Sequence, residues 1–139
     1  MVQIISGKKG KGKTKYLLDK VNNAVQTAEG DVVYLDKTAK HMYELSNKVR
    51  LVNVSEYPIN SYDGFMGFLC GIIAQDHDLE EMYLDSFLKL SCLEGKDITD
   101  AVAALENLSD KYKVDFTLSV SADAQELSEA VRSHIIISL

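Results

Sequence analysis

Val2-Gln-Ile-Ile-Ser6 runs directly into Gly7-Lys-Lys-Gly-Lys-Gly-Lys-Thr14, and from Lys13 onward apolar residues recur at helical spacing. A short apolar run closed by a glycine reads as a buried strand. Leu17, Leu18, Val21, Ala24, Val25 and Ala28 then form one face of a helix, which Gly30 ends. The loop between needs glycines for two reasons: the chain turns sharply there, and backbone N–H groups without neighbouring Cβ atoms can approach a ligand. A strand that feeds a helix in this way belongs in a sheet built from crossover units.

The remaining sequence repeats that alternation. Strands are predicted at Asp31–Asp36, Leu51–Val54 (closed by Pro58), Glu81–Asp85, Asp115–Ser121 and His134–Leu139. Helices are predicted at Lys40–Lys48, from an Asn60 or Ser61 cap to about Gln75, from Asp97 or Asp100 through Tyr112, and over Asp123–Arg132. In the second of these, Gly64, Gly67, Gly71 and Ala74 fall near one stripe, which predicts a close approach to another backbone. In the third, Ala101, Val102, Leu105, Leu108 and Tyr112 share a face. No Asn-Gly or Asp-Gly joins two predicted strands. The expectation is therefore one α/β domain over residues 1–139: a parallel central sheet with right-handed crossovers and helices on both faces, a three-layer sandwich.

Charge and composition narrow the class of ligand. The net charge is −6, yet Lys8, Lys9, Lys11, Lys13 and Lys15 crowd five positive charges into eight residues. One cationic spot on an acidic body suits a small polyanion; a long nucleic acid needs a basic face. At 46% hydrophobic residues the chain can build a core. Its longest apolar run, Phe65–Ala74, falls well short of the roughly 20 residues that span a bilayer. Met1–Ser6 lacks the charged start and cleavage site of a signal peptide, and Cys70 and Cys92 cannot make a disulfide framework. A reduced, cytoplasmic setting is expected.

The loop carries the chemistry. Gly7-Lys8-Lys9-Gly10-Lys11-Gly12-Lys13-Thr14 matches G-x-x-x-x-G-K-[ST] at every fixed position. Loop amides and the unpaired N–H groups of the next helix surround an anion; Lys13 would reach the β- and γ-phosphates, and the Thr14 hydroxyl would hold Mg²⁺. Lys15 follows within the first helical turn. On these residues the chain resembles the P-loop NTPases, whose phosphate-binding segment would here be Gly7 to Lys15.

The similarity extends to the RecA-like branch. Met82-Tyr-Leu-Asp-Ser86-Phe-Leu looks like the Walker B strand of those ATPases, and Val32-Val-Tyr-Leu-Asp36 looks like their second strand. Leu51-Val-Asn-Val-Ser55, Pro58 and the helix after it fall where that branch has a strand and helix before Walker B. The resemblance implies that Asp85 positions the Mg²⁺ shell with Thr14. It implies that Asp36 stands where a glutamate usually activates water, one methylene shorter. It implies Ser119 or Ser121 as a sensor of the γ-phosphate, with capping ahead of Asp123 as the other role for Ser121. It also implies a strand order in which Asp115–Ser121 separates the loop strand from the strand ending at Asp85. In the kinase–GTPase branch those two strands would be neighbours.

The function implied is ATP binding with slow Mg²⁺-dependent hydrolysis, or an ATP-driven switch. Arg50 and Arg132 are the only arginines, so an arginine finger would come from a neighbouring subunit or another protein. The segments that carry DNA-contacting loops in recombinases are missing, which argues against recombinase activity. A small nucleotide or metabolite kinase is the alternative, but Ser86–Asp97 offers Lys89 and Lys96 and no arginine-bearing lid. A module that binds nucleotide without hydrolysing it is a third reading. Lys8, just after the first glycine, partly resembles the signature lysine of deviant Walker A dimers, with Lys9 replacing their next glycine.

Other residues point elsewhere. His41, His77 and His134 lie far apart with no ligand spacing, so no metal cluster is expected. Cys70, inside an apolar run, is expected in the core. No serine has a G-x-S-x-G setting, and the tyrosines form no stacking platform for single strands.

Overall fold

The strands are apolar on both faces, so each face of the sheet needs its own cover. The computed structural model, which describes residues 1–139, supplies it. Strands β1 (Val2–Ser6), β2 (Asp31–Asp36), β3 (Val49–Asn53), β4 (Leu79–Leu84), β5 (Asp115–Val120) and β6 (Ile135–Ser138) form one sheet in the order β3-β2-β4-β5-β1-β6. Every neighbouring pair is parallel. Strand β5 lies between β1 and β4, the first of the two strand orders set out above. Helices α1 (Lys13–Ala24), α2 (Tyr62–Gln75), α3 (Phe87–Leu90), α4 (Thr99–Tyr112) and α5 (Glu129–Arg132) surround the sheet.

Alternation along the strands divides the core in two. Ile5, Val32, Tyr34 and Tyr83 point to one face, where Leu17, Leu18 and Val21 of α1 cover them. Ile4, Val33, Leu35, Met82, Leu84 and Leu118 point to the other, against Phe65, Leu69 and Ile73 of α2 and Val102 and Leu105 of α4. No helix is long and apolar enough to cross a membrane.

Several elements differ from the sequence reading. The helix expected at Lys40–Lys48 is a single 3₁₀ turn, Met42–Glu44. Met42 and Tyr43 are exposed there, so no apolar face draws the segment into a longer helix. The helix expected at Asp123–Arg132 is broken into a 3₁₀ turn, Ala124–Glu126, and the short α5. Leu127 between them is extended and buried, and the Ser128 hydroxyl restarts the helix by accepting from the Val131 N–H at 3.3 Å. The first helix ends at Ala24, one turn before Ala28, and β3 begins earlier than expected, at Val49. The small-residue stripe of α2 faces outward: a Cβ at Gly67 or Gly71 would meet nothing, so no backbone packs there. Cys70 lies on the same side and is exposed, because Phe65, Leu69 and Ile73 already supply the buried face.

Candidate functional site

The C-terminal ends of β1, β2, β4 and β5 open onto one cleft of about 720 Å³, and Leu88 is its only apolar lining residue. Ligands of open α/β sheets bind at this end of the strands. On the β1 side the wall is the glycine loop. Gly10 and Gly12 are left-handed, with φ of 88° and 89°, a conformation that strains any residue with a Cβ. Gly12 is the N-cap of α1, which carries no side-chain cap and no acid in its first turn. The helix therefore presents free N–H groups and the positive end of its dipole to the cleft. Gly7 serves packing: a Cβ there would sit 2.9 Å from Leu139 Cβ.

Lys13 is buried and curls back over the loop, its ammonium donating to the Lys8 carbonyl at 3.0 Å. Burial lowers its pKa from the usual lysine value, and the charge of Asp85 partly opposes that. The Thr14 hydroxyl lies against Asp85, donating at 3.1 Å to Oδ2 and 3.3 Å to Oδ1.

Asp85 is buried just beyond β4, and two more hydroxyls hold it. Tyr34 of β2 donates to Oδ2 at 2.8 Å, and Ser119 of β5 donates to Oδ1 at 2.8 Å. The Ser119 oxygen in turn accepts from the Ser86 N–H at 2.7 Å. Ser119 is thus committed to orienting Asp85. Ser121 reaches the cleft and is exposed, and Asp123 stands at the N-cap position of the following turn without a side-chain capping bond.

Asp36 is buried beside this group. Its Oδ1 accepts from the Lys37 N–H at 2.7 Å, while Oδ2 has no partner. Burial first, and the neighbouring Asp85 second, raise its carboxyl above the ordinary range. His41 comes in from the 3₁₀ turn, paired with Glu44 at 2.9 Å. Asp36, His41 and Asp85 each bring one ligand atom within 4.8 Å of the others, a set that can hold a divalent cation. Of the three histidines only His41 enters this group; spacing along the chain carried no signal for the Asp36–His41–Asp85 set, which forms because β2 and β4 are neighbours.

Of the expected phosphate-binding residues, Lys9, Gly10, Gly12, Lys13 and Thr14 line the cleft. Lys8 turns its ammonium to Asp123 at 3.5 Å, Lys11 and Lys15 are exposed away from the cleft, and Gly7 is buried beneath it. The sequence reading passed over Tyr34, His41, Lys37 and Lys40. The one local signal was that Lys37 follows the strand-end acid Asp36. Comparison with known proteins finds no matching family model and no matching curated relative.

Proposed function

We propose that this protein binds a nucleoside triphosphate through a P-loop and works as a slow Mg²⁺-dependent ATPase or ATP-driven switch of RecA-like type. The observation that carries the reading is the Thr14–Asp85 contact, 3.1 Å across the head of a glycine loop whose helix begins with free N–H groups. The loop amides and Lys13 would hold the phosphates, and Lys13 needs only to exchange the Lys8 carbonyl for a phosphate oxygen. Thr14 and Asp85 fit a hard divalent ion, since both offer oxygen and both line the cleft beside the glycine loop. When bound, Mg²⁺ would neutralise charge on the phosphates. Asp36, with its raised carboxyl and unpartnered Oδ2, is suited to accept a proton from an attacking water.

The position of β5 between β1 and β4 supports the RecA-like reading over a kinase of the other branch. Neither arginine lines the cleft, which agrees with slow turnover until a second subunit or another protein supplies one. The two cysteines are unpaired, in keeping with a reduced cytoplasmic setting.

Thermal unfolding with ATP, GTP and ADP, each with and without Mg²⁺, tests the reading, because a ligand that binds only the folded chain raises its melting temperature. The expected result is a shift with triphosphate and Mg²⁺ that Lys13→Ala removes. No shift with any nucleotide would overturn it.

A further inference from the structure

Asp36 ends β2 and Asp85 follows β4, so the pairing of these strands brings two buried carboxylates to the same edge of the sheet. No cationic group comes within ion-pairing distance of either. A buried charge is as a rule paired with an opposite charge or bound to a metal. Three hydroxyls satisfy Asp85, but Asp36 Oδ2 is buried with no partner at all. His41 is the third member of the set. Glu44 can only accept, so His41 Nδ1 donates to it at 2.9 Å, and the neutral ring keeps its lone pair on Nε2. Metal-binding histidines are oriented by this same contact to a carboxylate. Asp36, His41 and Asp85 each bring one ligand atom within 4.8 Å of the others.

We infer that Asp36, His41 and Asp85 bind a transition-metal ion of the zinc class in the absence of nucleotide, and that His41 sets the preference over Mg²⁺. Zn²⁺ takes imidazole nitrogen and carboxylate oxygen together, whereas Mg²⁺ takes oxygen and sheds its water reluctantly. With metal–ligand bonds of about 2.1 Å, two ligand atoms of a tetrahedral zinc stand roughly 3.4 Å apart, so small side-chain rotations close the shell. Three protein ligands leave a fourth position for water. Asp85 can join without losing its main supports. Thr14 makes the longest of its hydroxyl contacts, 3.1 and 3.3 Å against 2.8 Å for Tyr34 and Ser119, and is the one an ion would displace.

Calorimetric titration of zinc chloride and of magnesium chloride into the nucleotide-free chain tests this. The expected result is a single Zn²⁺ bound at least about tenfold more tightly than Mg²⁺. His41→Ala and Asp36→Asn should each weaken Zn²⁺ about tenfold or more, and Glu44→Gln about tenfold, because the ring loses the contact that orients it. His41 and Glu44 belong to a turn with no buried residue, so both variants keep the fold. Zn²⁺ should raise the melting temperature of the wild-type chain and not that of His41→Ala. His77→Ala, which removes a histidine outside the group, should bind as the wild type does. Zn²⁺ affinity within about twofold of wild type in His41→Ala and Asp36→Asn, equal affinity for Mg²⁺, or no binding of Zn²⁺ would overturn the inference. A loss in His77→Ala that His41→Ala does not share would overturn it too, by placing the ion elsewhere. Each of these failures would leave the nucleotide reading standing, since no nucleotide is present.

Discussion

The Tyr34 hydroxyl donates to Asp85 Oδ2 at 2.8 Å from the adjoining strand, and both residues are buried. Burial, with Asp85 second, raises the phenol far above its usual pKa, so it remains a donor at any working pH. With Thr14 and Ser119 it makes three hydroxyls on one carboxylate. A buried charge is tolerable only when satisfied in this way.

Tyr34→Phe should therefore destabilise the protein by about 2 kcal/mol, the loss of a hydrogen bond to a charged group. In urea unfolding the midpoint should fall with the slope unchanged. An unchanged midpoint would mean that the phenol does not support Asp85.

Lys13→Met should separate stability from binding. Burial lowers the Lys13 pKa, so the charged side chain strains the free fold at neutral pH. The unbranched apolar replacement should unfold at the same temperature or higher, while triphosphate binding is lost. Retained affinity for ATP would remove the P-loop reading.

Asp36 makes stability depend on pH. Its folded carboxyl is raised above the ordinary value of 3.8. Below 3.8 the folded and unfolded chains are both protonated at this group; above the raised value the fold carries a charge that burial disfavours. The contribution of Asp36 therefore turns against the fold as pH rises through that window. Asp36→Asn should be more stable than wild type at pH 7, and the two should converge as the pH approaches 4. Urea midpoints across that range measure it, and a gap that widens on acidification would contradict the sign.

Asp85→Asn should abolish the Mg²⁺ dependence of ATP binding, whereas Asp36→Asn should keep it and lower whatever hydrolysis is present. Turnover by the isolated wild-type chain should stay below about 1 s⁻¹, as for unassisted P-loop proteins. Were Asp36→Asn the variant that loses the metal dependence, the two acids would have exchanged roles.

Much of the site was legible because its residues sit at places that local sequence marks. Gly7–Thr14 is a contiguous motif between a strand and a helix, and Asp36 and Asp85 each stand at the end of an apolar run. Tyr34 was not legible in the same way, and Ser119 was marked only as one of two serines that the family resemblance implied. A tyrosine inside a strand reads as an ordinary alternating residue, and only the registers of β2 and β5 against β4 bring the Tyr34 and Ser119 hydroxyls to Asp85. The expected helices at Lys40–Lys48 and Asp123–Arg132 failed for a related reason. Composition allowed them, but Tyr43 had no face to bury and Leu127 was drawn out of the helix into the core.

Sequence alone determined the alternation of strands and helices, the parallel sheet and the glycine loop, since each depends on side-chain periodicity or backbone freedom within a few residues. Tertiary structure alone decided that Asp36, His41 and Asp85 each bring a ligand atom within 4.8 Å of the others and that Lys37 and Lys89 line one cleft. Asp85 and Lys89 stand dozens of positions along the chain from Asp36, Lys37 and His41. They come together because β2 and β4 pair, and that pairing is settled by how the whole sheet divides its two apolar faces between α1 and the helices opposite.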